Sequence, residues 1–245
     1  MDKKELSQRK RDTEILAARA AQVQQGGARA AVLGVNDGLV STLCIVLGVA
    51  AAGGSQQAVF LAGFAGLVAG AVSMAAGEWV SVQSQVDLFE GVLSDLKKMI
   101  KKDKDLLVDN LTSHLLGDGY SQKTAKQAAA ELAKHEKSFF ETYAEQVIGV
   151  NPDELGSPWV AAVSSFLLFT IGALAPLGPW LFIGGMSGVV WSIVLTSIGS
   201  LIAGAYVANS SGKSLWYGAI RQFLIVVLAS VVTYGVGHLF GVTVS

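Results

Sequence analysis

The chain has 245 residues, of which 51% are hydrophobic and only 15% charged, with a mean hydropathy of +0.49, so an ordinary soluble domain is excluded and an integral membrane protein is expected. A net charge of −1, with basic residues interleaved among acids, gives no reason to expect a nucleic-acid partner. The single cysteine, Cys44, excludes a disulfide framework or a cysteine metal cluster within one chain.

Residues 1–30 carry seven Lys/Arg and four acids. They lack the short apolar core and small-residue cleavage site of a signal peptide, so they are expected to stay on the protein. Basic residues directly before an apolar stretch place this end in the cytoplasm, and an amphipathic helix on the membrane surface is the expected form. Ala31–Ala52 reads as the first span. Its one acid, Asp37, lies about six residues in, or ~9 Å at 1.5 Å per residue. Gly53–Gln57 is a tight connection, which makes spans one and two an antiparallel hairpin. Span two, Ala58–Val82, holds a single carboxylate, Glu78, near its exit, at a depth that matches Asp37. Met74 shares a helix face with Glu78, and Gly63, Gly66 and Gly70 are expected to admit a neighbouring backbone. Residues 31–82 contain no basic side chain, so a bound cation would neutralise the two acids. An acid within a span marks a functional site by default. Capping or interface snorkelling is the competing reading for Asp37 and Glu78, and packing filler is the competing reading for Met74.

Residues 81–157 hold nine lysines and thirteen acids, which defines a polar insert, residues 83–157, between two membrane blocks. Its periodicity is helical throughout, with no strand signal. The second helix is expected to run on through Gln83–Leu96, followed by the lysine run Lys97–Lys104 and a helix over Leu106–Leu116. A break at Gly117-Asp118-Gly119 precedes one long helix over Ser121–Val147, with Ser121 as its N-cap. Asp105 and Asp109 share a helix face, as do Glu141 and Glu145. Either pair could chelate a cation, although the neighbouring lysines favour a solvated face. His114 and His135 have no spaced His or Cys partner and read as ordinary soluble-domain histidines.

Three further spans follow in residues 158–240. They are Pro158–Leu177 with Trp159 at an interface, a span contained in Gly178–Ala208 with Pro179 near its start, and Leu215–Phe240, leaving 241–245 as a tail. Turns are expected at Pro176–Pro179 and at Asn209–Lys213. Arg221, about a turn and a half inside span five, is read as structural, snorkelling to the surface or pairing with helix C-terminal carbonyls, and His238 as interfacial. The fold class is therefore all-α, with five transmembrane helices and a cytoplasmic helical insert between the second and third. Five crossings put the insert and Lys213 in the cytoplasm. No G-x-S-x-G, Walker A or H-E-x-x-H motif occurs, so an enzyme is not expected and transport would use an ion gradient or run downhill.

Asn36-Asp37-Gly38, the run from Met74 to Glu78 with Val80-Ser81 and Ser84-Gln85 after it, Pro158-Trp159, and Gly218-x-x-Arg221-Gln222 with Thr233-Tyr234 together closely resemble the vacuolar iron transporter family of divalent-metal exporters. The resemblance runs from about Arg29 to Phe240. It implies a five-span homodimer in which Asp37, Met74 and Glu78 line a path for Fe²⁺ or Mn²⁺, exchanged for protons. The metal would be transported substrate, with no permanently bound cofactor. The membrane would be the cell membrane in a prokaryote or the vacuolar membrane in a eukaryote. The insert departs from the family, whose iron-transporting members carry E-x-x-E glutamates there. This chain has Asp95, Lys97, Lys98, Met99, Asp103, Asp105, Asp109 and Asn110, and only Glu141 and Glu145 resemble a remnant. The insert is therefore expected to fold without metal and to bind Fe²⁺ or Mn²⁺ weakly. A membrane sensor or scaffold, or a carrier of another solute, are the competing functions.

Overall fold

The computed structural model describes residues 27–152 and 155–244. The surface helix expected over residues 1–30 lies outside the described residues as far as residue 26, and 27–30 already belong to the first membrane helix. The helices are α1 (Gly27–Ala51), α2 (Gln56–Lys102), α3 (Lys104–Gly117), α4 (Gln122–Leu132), α5 (Glu136–Tyr143), α6 (Pro158–Leu177), α7 (Gly185–Ser210) and α8 (Leu215–Val244). Among the described residues there is no strand. Five of the helices, α1, α2, α6, α7 and α8, are long and apolar enough to cross a membrane. The protein is an all-α integral membrane protein with a helical insert between its second and third spans. The described residues form two compact units, one of residues 27–80 and 158–244 and one of residues 81–152 and 155–157.

In the membrane unit the backbones of α1 and α6 approach closely. A methyl group at Gly34 would stand 3.0 Å from the Ser165 carbonyl oxygen, and one at Gly38 would run into the Phe169 carbonyl. Water expulsion does not drive helices together in lipid, so such small-residue contacts, with their van der Waals attraction, set which helices pair. The same device joins α7 to α8, where Gly204 and Gly218 face each other's backbone. The glycines of α2 behave differently from expectation. Gly63 receives Leu177 and Val46, Gly66 receives Ile45 and Gly70 receives the Phe169 ring, so side chains rather than a backbone fill these notches. Around them Leu43, Val46, Leu47, Val59, Phe169, Trp180 and Val226 form the buried core.

The turn expected at Pro176–Pro179 lies further on. Helix α6 runs through Pro176, whose carbonyl accepts the Ser192 hydroxyl at 2.7 Å, while Ser192 accepts the Trp180 indole N–H at 2.9 Å. Pro179 falls at the start of a 3₁₀ turn, Gly178–Leu181, where its missing N–H leaves no bond unmade. The chain reverses after it, with Gly185 in the left-handed region at φ 61°.

The second unit has its own core, built on Leu93, Leu96, Ile100, Leu107, Leu111, Phe139 and Tyr143. Asp103 caps α3 by accepting from the Leu106 N–H, and Ser121 caps α4 by accepting from the Thr124 N–H at 3.2 Å. The single helix expected over Ser121–Val147 is broken at Ala133–His135. Lys104 Nζ donates to the Ala133 carbonyl and lies 5.8 Å from the centre of the Phe139 ring. With that carbonyl turned to a side chain from another helix, α4 ends and α5 starts afresh, so that Phe139 enters the core. A π turn, Ala144–Ile148, closes α5, and Gly149 ends it at φ 79°.

Candidate functional site

The residues singled out in the membrane spans lie on two helices that meet one residue, Phe169. Asp37 is half-buried on α1, directly before Gly38. On α2, Gly70, Met74 and Glu78 follow each other at intervals of four and so form one stripe. Phe169 of α6 touches both helices, its backbone against Gly38 and its ring in the notch of Gly70. Met74 packs on the membrane core one turn beyond that notch, and Glu78, only 8% exposed, lies a further turn along. Trp79 packs edge-on against Trp159 with ring centroids 6.0 Å apart, which puts Glu78 level with the first turn of α6. Indoles favour the boundary between lipid and water, so the stripe opens near one membrane surface.

Two oxygens near this level belong to residues that the sequence reading did not name as site residues. Asn36 Oδ1 and Ser165 Oγ are buried and, among the described residues, have no hydrogen-bond partner. Unpaired buried oxygens are rare because desolvation is uncompensated, so they suit a site that takes a cation or water. Asn36 carried a signal, an amide directly before the acid of a span. Ser165 carried none, since serines on apolar helices commonly bond their own backbone, as Ser41 does to the Asp37 carbonyl at 2.5 Å.

The cytoplasmic candidates are dispersed. Asp105 and Asp109 are exposed on α3. Glu141 is half-buried with its carboxylate 3.6 Å from Lys137, whereas Glu145 is exposed in the π turn. Among the described residues no three His, Cys, Asp or Glu side chains gather into a group that could hold a metal. Glu131, on α4, has its carboxyl held below the ordinary 4.5, first by the hydrogen bond from Lys134 and then by that ammonium's charge. His114 lies 3.8 Å from Asp118, one turn along the same stretch, and His135 is exposed at the start of α5. His238 is exposed on α8, and the exposed Arg221 lies 5.9 Å from the ring centre of Tyr217.

Comparison with known proteins covers both units. The model of the VIT family matches residues 28–238. The chain is 34% identical over 214 residues to vacuolar iron transporter homolog 1 of Oryza sativa subsp. japonica, covering 87% of this chain and 73% of that protein. It is 33% identical to the vacuolar iron transporter of Acanthamoeba castellanii, covering 87% and 78%. With vacuolar iron transporter homolog 2 of Arabidopsis thaliana it shares 32% identity, covering 87% and 84%. A match across both membrane blocks and the insert, at these identities, makes the chain a member of the VIT family, the family of vacuolar iron transporters.

Proposed function

We propose that this protein moves Fe²⁺ or Mn²⁺ out of the cytoplasm in exchange for protons, along a pathway lined by Asp37, Met74 and Glu78 in a homodimer. The observation that carries the reading is Phe169, which bridges the helix of Asp37 and the Gly70–Met74–Glu78 stripe while Glu78 is buried in an apolar helix. A carboxylate charge in an apolar helix is costly, so the half-buried Asp37 and the buried Glu78 can each alternate between a cation and a proton. A thioether beside carboxylates suits Fe²⁺ or Mn²⁺ better than Mg²⁺ or Ca²⁺, which prefer shells of oxygen alone. Asn36 Oδ1 supplies a further neutral oxygen. The names of the relatives support iron as cargo. In this reading the N-terminus and the insert face the cytoplasm.

The test is purified protein in liposomes loaded with a pH indicator. Addition of Fe²⁺ or Mn²⁺ on the insert side is expected to drive proton flux, with Mg²⁺ and Ca²⁺ ineffective as substrates and as competitors. Absence of metal-stimulated flux in a correctly oriented sample would favour a sensor or scaffold instead.

A further inference from the structure

The insert contains an open cleft of about 550 Å³, lined by Lys97, Ile100, Lys101, Glu136, Lys137, Phe140, Glu141 and Pro152. That volume is within the usual range for a small-molecule site. The charge of its walls runs against that of its surroundings. Residues 81–157 carry nine lysines and thirteen acids, eleven of those acids among the described residues, and of the described residues the cleft takes three lysines and two acids. Lys137 already neutralises Glu141 at 3.6 Å. Lys97 and Lys101, one turn apart on α2, have no carboxylate partner among the described residues, and Lys97 lies 5.0 Å from the centre of the Phe140 ring. The apolar part of the lining is the buried Ile100 with the partly buried Phe140 and Pro152.

We propose that this cleft binds a phosphate-bearing organic anion, with its phosphate at Lys97 and Lys101 and its apolar portion on Ile100, Phe140 and Pro152. Ammonium groups act on phosphate as mobile point charges, so lysines at the mouth of a cleft need no fixed fork geometry to hold it. A divalent cation is the wrong occupant. Lys97 and Lys101 repel it, and of the two lining carboxylates Glu141 is paired with Lys137, which leaves Glu136 as a single acid against two ammonium groups. The site lies outside the proposed ion pathway, so its failure would leave that reading standing.

The experiment is calorimetric titration of the full-length protein in phosphatidylcholine nanodiscs with ADP, with inorganic pyrophosphate and with dioctanoyl phosphatidate. Saturable binding of ADP or of the phosphatidate is expected, weakened by salt, with pyrophosphate weaker because it has no apolar body. The tighter of the two organic ligands identifies the source as a soluble nucleotide-like molecule or a lipid headgroup. Lys97→Gln/Lys101→Gln is expected to weaken binding roughly tenfold or more, as loss of charged hydrogen bonds does. Both lysines are exposed, so the variant should fold, and Lys123→Gln/Lys126→Gln on α4 is the control expected to bind as the parent does. Absence of saturable binding by all three ligands, or equal binding by the parent and the Lys97/Lys101 variant, would overturn the proposal.

Discussion

Carboxylates mean different things in the two units of this protein. In the membrane unit Asp37 is half-buried and Glu78 is buried, in helices otherwise apolar. In the insert Asp95 and Glu131 form ion pairs with Lys98 at 2.8 Å and Lys134 at 2.6 Å, with every partner at least 66% exposed. Such exposed pairs add little to stability and are screened by salt, whereas an acid held inside a lipid-spanning helix is retained against a large desolvation cost. The contrast extends to packing. Membrane helices meet through glycine notches, while the insert closes over large side chains such as Phe139 and Leu111 in the way soluble proteins do. Burial, more than residue type, identifies where chemistry is worth seeking in this chain.

The sharpest way to break that contrast is to remove charge without changing shape. Asp37→Asn and Glu78→Gln are each expected to abolish metal-stimulated proton flux in liposomes while the protein elutes and melts as the parent does. Full flux in either variant would show that the buried acids are only structural. A smaller effect, now on stability, is expected from Gly38→Ala, because the new methyl meets the Phe169 backbone and one helix must shift. A loss of about 3 kcal/mol, or failure to fold, is consistent with overpacking at a backbone contact. Its counterpart in the insert, Gly91→Ala, meets nothing within 4 Å and should instead stabilise by ~0.5–1 kcal/mol through helix propensity. Thermal melts of both in one detergent make the comparison direct.

Met74→Leu conserves volume, so its stability cost should stay below about 1.5 kcal/mol, while Fe²⁺-driven flux falls through loss of the sulfur donor. If stability and flux fell together, Met74 would belong to the core alone. The smallest effect is expected at Glu131. Its folded carboxyl lies below 4.5, so the contribution of its Lys134 pair is complete above that value and is lost as pH falls through the lower folded value. Glu131→Gln should therefore change the melting temperature only slightly at neutral pH, and the difference should vanish in strong acid or high salt. A large, salt-independent change would mean that surface pairs matter to the insert as buried acids do to the spans.

Much of this architecture was legible in the residues. Long apolar runs have few alternatives to helix in lipid, so five spans followed from composition, and Pro158–Leu177 coincides with its helix. The capping chemistry of Ser121 was equally local. The stripe of Met74 and Glu78 required only the helical repeat. Which glycines would meet a backbone was not legible. The chain has 28 glycines, several of them at helical spacing in α2 as well as α1, and nothing local distinguishes a notch for a backbone from a notch for a side chain. The role of Phe169 in joining α1 to α2 was hidden for the same reason, since its neighbours lie about 100 or more residues away in sequence.

Sequence by itself determined the elements set by local cost: where the chain must be helical, where it is too polar to enter lipid, and which few acids are out of place there. Tertiary structure alone decided the break between α4 and α5, because Lys104, 29 residues from Ala133, takes the carbonyl that ends the helix. It also decided that three lysines of an acidic insert share one cleft. Helix formation and exclusion of polar groups from lipid depend on neighbours along the chain, whereas backbone contact, carbonyl capture and cleft charge depend on neighbours in space.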